Sequence, residues 1–205
     1  APRAIDHLEL AREYEKAGFA AIITKDHDYS GVMTAALIAR HNPDLRTKVY
    51  SSLVLNNVVG GMNPYAVEHH AAMGGKIVFM PTLAAENHLR WEKSSSWSHP
   101  ASTSKMRAAA PVPVLDANGR VRDDVKEVLD IIARTGMALA SGHIHVSETW
   151  LVFEEAQRRG VKRLVFTHPE EIVGASLNDV RGIAAMGAYM EHSICMFIPG
   201  RAKQH

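Results

Sequence analysis

Short runs that are apolar at most positions alternate along this chain with stretches of helical periodicity, and this alternation restricts the fold more than any other feature. The runs are 20–27 (AAIITKDH), 48–56 (KVYSSLVLN), 76–82 (KIVFMPT), 137–143 (MALASGH), 163–168 (RLVFTH) and 188–193 (AYMEHS). Between them the spacing predicts helices over 5–17, 31–40, from Pro64 to about Gly74, and over 123–134, 147–159 and 176–186. Gly18, Gly136, Gly160 and Gly187 stand at helix exits, where glycine readily closes the last turn. Asn63 before Pro64, and Ser147 and Ser176, are N-cap residues by type, and Asp179 extends Ser176 into a capping-box pattern. Strands apolar throughout are covered on both faces, and helices between them give parallel order. The expectation is an α/β fold, an incomplete (β/α)-barrel.

In parallel sheets of this kind, ligands collect at the carboxyl ends of the strands. The polar residues of the runs fall at those ends: Lys25, His27, Asn56, Thr82, His143, His168, Glu191 and His192. One segment breaks the alternation. Residues 84–106 bring Glu86, Asn87, His88, Trp91, Trp97 and His99, and read as a lid or substrate loop. Behind it, the turn sequence Asp116-Ala117-Asn118-Gly119 between short apolar flanks reads as a small hairpin. The domain expectation is a single barrel over 1–205 with an inserted region at about 84–120.

Composition narrows the chemistry. The chain holds 12 histidines against a single cysteine, Cys195, so neither an internal disulfide nor a cysteine-based zinc site fits, whereas imidazole ligands do. A formal net charge of +1 gives no reason to expect nucleic acid or an anionic membrane as partner. Neither a signal peptide nor a membrane-length apolar run is visible, and a reducing, cytoplasmic setting is expected. No Gly-x-Gly-x-x-Gly, Walker or Gly-x-Ser-x-Gly pattern occurs.

His143-Ile144-His145 can present two imidazoles to one ion, although His145 can equally cap the helix that follows. His168 closes the next strand ahead of Pro169. Lys25 and His27 lie two apart on one strand and can point the same way. Lys25 has three readings: paired with Glu191, carbamylated as a bridge between metals, or a Schiff-base amine. Glu191 could bind metal, orient a histidine ligand or act as general base. His88 and His99 could reach the site from the insertion, while His7, His41, His69, His70 and His205 read as solvated or structural, and Cys195 as a buried thiol.

Several stretches in order along the chain resemble an uncharacterised family of predicted metal-dependent hydrolases related to amidohydrolase-like TIM barrels. They include Lys25-Asp26-His27, residues 55–64 (LNNVVGGMNP), Phe79-Met80-Pro81-Thr82, Val114-Leu115-Asp116, residues 141–147 (SGHIHVS), Phe166-Thr167-His168-Pro169 and Glu191-His192-Ser193. The resemblance implies a (β/α)8 TIM-barrel-like fold in which the strand of His27 is the second, His143 ends the fifth and His168 the sixth. The first-strand histidine pair and eighth-strand acid of such enzymes have no counterpart. The first and last strands are expected to be missing, and both ends look cut from a longer chain.

The function implied is hydrolysis of a small-molecule C–N, ester or phosphoester bond by metal-activated water. Metal would be held by His143 and His168, with His27 and Lys25 behind them. Glu191, His192 and Lys25 would be catalytic, and Asn56, Thr82, Glu86, His88 and His145 would contact substrate. One or two divalent ions are implied, zinc first, with manganese, iron or nickel compatible. Two alternatives stand beside this: a metal-independent Schiff-base lyase or aldolase using Lys25, and a non-catalytic metabolite-binding barrel. The partner expected is a small-molecule substrate, and a homo-oligomer is compatible.

Overall fold

The computed structural model describes residues 5–94, 107–170 and 172–194. Trp97, His99, Cys195 and His205 lie outside the described residues. The described chain runs α1 (His7–Lys16), β1 (Ala21–Thr24), α2 (Val32–His41), β2 (Lys48–Val54), α3 (Pro64–Ala72), β3 (Ile77–Phe79) and α4 (Glu86–Ser94). It continues with α5 (Asp123–Thr135), β4 (Ala138–Ala140), α6 (Val146–Arg158), β5 (Leu164–Thr167), α7 (Leu177–Ala185) and β6 (Tyr189–Glu191). All six strands are parallel and lie in chain order, forming a curled half-barrel. The described residues therefore build part of a (β/α)-barrel and not a closed eight-stranded one.

Alternation along each strand separates two faces. Leu53, Val78, Leu139 and Phe166 pack outward with Val128, Leu129 and Ile132 of α5 and Val152 and Phe153 of α6. Val54, Ile77, Phe79 and Ala140 point the other way and form a small apolar patch lining the concave side. Register extends that concave side to Ile23 at one edge and Tyr189 at the other, paired with Tyr50 and Val165. Both are well exposed, so the concavity is dry at its centre and wet at its rims.

The paired strands are shorter than the apolar runs, stopping at Thr24, Val54, Phe79, Ala140 and Thr167. Lys25, His27, Asn56, Thr82, His143 and His168 thus lie beyond the last paired residue instead of on strands. Pro81 has no N–H to donate, Asn56 supplies side-chain bonds where the ladder stops, and Gly142 turns the chain with φ +62. The helix after His143 also begins one residue earlier than expected. His145, not Ser147, is its N-cap: the imidazole accepts from the Ser147 N–H, and the Glu148 carboxylate accepts from the His145 N–H. Ser176 with Asp179 forms the expected capping box. The hairpin is reduced to one antiparallel bridge, Leu115 to Val121, closed by Asp116 accepting from Asn118 and Arg120. The inserted region contains a helix, α4, and is not simply a loop.

Among the described glycines, Gly142 makes the tightest approach to other backbone. A Cβ there would lie 2.3 Å from the Met80 carbonyl oxygen and 2.6 Å from that of Pro81, neither of which can swing away. Gly18 also has a positive φ, +83, but open space around it. Gly18→Ala should cost only the left-handed penalty of about 1 kcal/mol, whereas Gly142→Ala should cost at least about 3 kcal/mol. Urea unfolding of the two variants measures the difference, and equal losses would remove the close-approach argument.

Candidate functional site

Asn56, just past β2, ties three strand exits together. Its Nδ2 donates to the His27 carbonyl (3.0 Å) and to Thr82 Oγ1 (2.9 Å). Its Oδ1 accepts from the backbone N–H groups of Thr82 (2.9 Å) and Ala84 (3.1 Å). Every donor and acceptor of the amide is used, as a buried asparagine requires. Thr82 Oγ1 also lies 2.8 Å from His27 Nδ1, so the His27 ring is held against the β3 exit.

Three imidazoles meet beside this hub. His143 Nε2 is 3.2 Å from His168 Nε2, and His143 Nδ1 is 2.9 Å from His88 Nδ1. His27 approaches the same ring, its centroid 6.3 Å from that of His143. The placement of His143 follows from Gly142: the left-handed turn lets the His143 N–H donate to the Pro81 carbonyl (2.9 Å). The Gly142 N–H donates to Thr167 Oγ1, and the Thr167 N–H to Ser141 Oγ, so the exits of β4 and β5 are locked side by side. His88 arrives on α4. Its neighbour Asn87, absent from the sequence-derived site, donates to the carbonyls of His143 (3.1 Å) and Ile172 (2.7 Å). The only advance signal for Asn87 is the polar pair Asn87-His88 in the segment that interrupts the alternation after the β3 run.

Burial sets the electrostatics. It pushes the His168 imidazolium down to about 4, helped by the charge of Lys25 and opposed by Glu170. His143 is held well below the ordinary histidine range, first by burial and then by Lys25 and the neighbouring imidazoles. A neutral imidazole has one N–H and one lone pair. Two N···N contacts in series therefore align His88, His143 and His168 as a chain of donors running in one direction or the other. Burial also lowers the Lys25 amine, with Glu191 opposing. Lys25 Nζ sits 4.4 Å from the centre of the Phe79 ring, and no ion pair closes between it and Glu191. Glu191 Oε2 and His168 Nδ1 are buried with no hydrogen-bond partner.

The other sequence-derived site residues lie apart from this cluster. His145 caps α6, Glu86 is exposed and pairs with Arg90, and His192 is exposed and bonded to Glu170. His70 is buried as a structural histidine against Gly75, its Nδ1 2.8 Å from Ser30 Oγ. Among the described residues, no three His, Cys, Asp or Glu side chains are arranged to hold one metal ion together. No helix among them is long and apolar enough to cross a membrane.

Residues 1–191 match the model of a family of unknown function (DUF6282), and the chain belongs to that family. No curated protein matches it. Among solved structures, an amidohydrolase from Pseudomonas aeruginosa aligns with a TM-score of 0.45 at 13% identity, over 89% of this chain and 48% of that one. The chain thus spans about half the length of that protein.

His168 and His70 both have folded values of about 4 against an ordinary 6.5. Between those values the unfolded chain binds more protons, so stability falls as pH drops through the window. The loss should approach roughly 3 kcal/mol per histidine at its acid end. Urea midpoints should decline from about pH 6.5 downward, and less steeply in His168→Asn. A flat profile down to about pH 5 would contradict neutral buried imidazoles.

Proposed function

We propose that this protein is a metal-dependent hydrolase acting on a small-molecule C–N, ester or phosphoester bond. The observation that supports it is the 3.2 Å separation of His143 Nε2 and His168 Nε2. Two imidazole nitrogens on one tetrahedral zinc, each at about 2.0–2.1 Å, stand about 3.3 Å apart. Burial keeps both rings neutral, so a shift of each proton to Nδ1 would present both Nε2 lone pairs to a cation. The unpartnered His168 Nδ1 is a further sign that a polar group belongs beside these rings. Imidazole donors suit a borderline divalent ion, zinc first, which His143 and His168 would hold with His27 nearby.

When bound, such an ion supplies an acidified water and a charge that polarises the scissile group. The chain's own residues do the rest. With an ion bound, His143 would carry its proton on Nδ1 toward His88, leaving Nε2 for the ion, while Asn87 holds the His143 carbonyl. Glu191, with an oxygen that nothing else engages, is the general base. Asn56 and Thr82 shape the wall on which substrate rests. His192, Glu86 and His145 have no part in this reading, because each is engaged elsewhere.

Zinc-loaded, dialysed protein should retain about one equivalent of metal, and His143→Gln and His168→Gln should each weaken binding at least about tenfold. Glu191→Gln should keep the metal and lose hydrolysis of a chromogenic ester or phosphoester about a hundredfold or more. Glu86→Gln should change neither. Retention of zinc by the His143→Gln/His168→Gln double variant would sink the proposal.

A second reading rests on a separate observation. Lys25 has no hydrogen-bond partner among the described residues, and burial favours its neutral amine. Such an amine can add to an aldehyde or ketone and expel water to give an imine. Borohydride reduction with a panel of small aldehydes tests it: a mass adduct on Lys25, without added metal, supports the lyase reading over the hydrolase.

A further inference from the structure

A cleft of about 360 Å³ lies against the His27 side of the site. Its wall includes Asn56, the hub that bonds His27 and Thr82, and it is lined further by Asp28, Asn57, Val58, Leu83 and Arg107. Asp28 follows His27 and Leu83 follows Thr82, so the cleft begins where the hydrogen-bonded wall of the site ends.

The residues that carry Arg107 are outside helix and strand, yet they are fastened to the cleft. Asn57 Nδ2 donates to the Ala110 carbonyl (2.9 Å), the Ala110 N–H donates back to Asn57 Oδ1 (3.1 Å), and the Val112 N–H donates to the Ala84 carbonyl (2.8 Å). This pairing holds the backbone near Arg107 beside the mouth. The cleft is lined by two opposite charges that are not joined. Neither the Arg107 guanidinium nor the Asp28 carboxylate takes part in a hydrogen bond or ion pair among the described residues. Elsewhere on this surface such charges close readily, as Arg12 does with Asp44, Arg122 with Asp124 and Arg159 with Asp130. Beside these charges the cleft is lined by the apolar Val58, Leu83 and Ala84 as well as by the amides Asn56 and Asn57, and Val58 is left half exposed.

A purely anionic ligand would gain Arg107 and be repelled by Asp28, and a purely cationic one would meet the reverse. A ligand carrying both charges on a short apolar body satisfies both sides. We propose that this cleft binds an amino-carboxylate zwitterion, its carboxylate on Arg107 and its ammonium on Asp28. It would thereby select amino-acid-like substrates for the neighbouring histidine site; only this last step rests on the hydrolase reading.

Calorimetric titration with three probes tests it: L-leucine, 4-methylpentanoate, which lacks the ammonium, and 3-methylbutylamine, which lacks the carboxylate. Leucine should bind saturably, and the single-charge probes about tenfold or more weakly. Arg107→Gln and Asp28→Asn should each reduce leucine to the level of the single-charge probes. Both side chains are exposed, so the folds should persist; if one variant fails to fold, the other decides alone. Equal binding of the three probes, no leucine binding at millimolar concentration, or leucine binding untouched by either substitution would overturn the assignment. Zinc content measured on the same samples separates the two ideas. Leucine binding without zinc retention counts against the hydrolase and leaves the cleft standing, and zinc retention without leucine does the opposite.

Discussion

The site depends on the contact between two neighbouring strand exits at Gly142. The Met80 and Pro81 carbonyls come so close there that no side chain can intervene. In return, the His143 N–H reaches Pro81 and the Gly142 N–H reaches Thr167. Without that approach, His143 would follow the ordinary path of a strand into a loop, and its ring would meet neither His168 nor His88. Backbone geometry at one residue thus decides whether the histidines of three separate chain segments meet at all.

Burial then decides what the assembled histidines can do. Exposed imidazoles would share their lone pairs with water and protons near neutrality. Beneath the strand exits His143 and His168 stay neutral, and the nearby Lys25 discourages protonation further. The same desolvation acts on Lys25 itself, which rests on the Phe79 ring without closing an ion pair to Glu191. Leaving two polar groups short of partners in a dry concavity is costly for a merely structural core. It is reasonable in a place built to receive something else.

Much of this was legible in the sequence. Parallel order, most helix spans and the gathering of His143 and His168 at the carboxyl side of their strands followed from periodicity and from polar residues closing apolar runs. The exact ends of the strands were not legible, because Pro81, Gly142 and the Asn56 amide end the pairing through contacts made across the fold. His88 could be named but not given its partner, since α4 sits in a segment with no strand to place it. Asn87 was passed over because its two acceptors, the carbonyls of His143 and Ile172, are distant in sequence. His145 shows the opposite case: adjacent to a ligand candidate and of the right type, it was drawn away by the simple need of a helix start for an acceptor.

The chain of three imidazoles has a consequence for how its members should be dissected. Because each ring must hand on what it receives, the direction of the protons is a property of the set and not of any ring. Removing His88 releases His143 to turn its N–H toward His168, and removing His168 frees it the opposite way. Single substitutions will therefore each report a rearrangement of the survivors as well as a loss, and their effects will not sum. The three histidines make one polar thread with two senses, and only paired substitutions can tell which sense the folded protein uses.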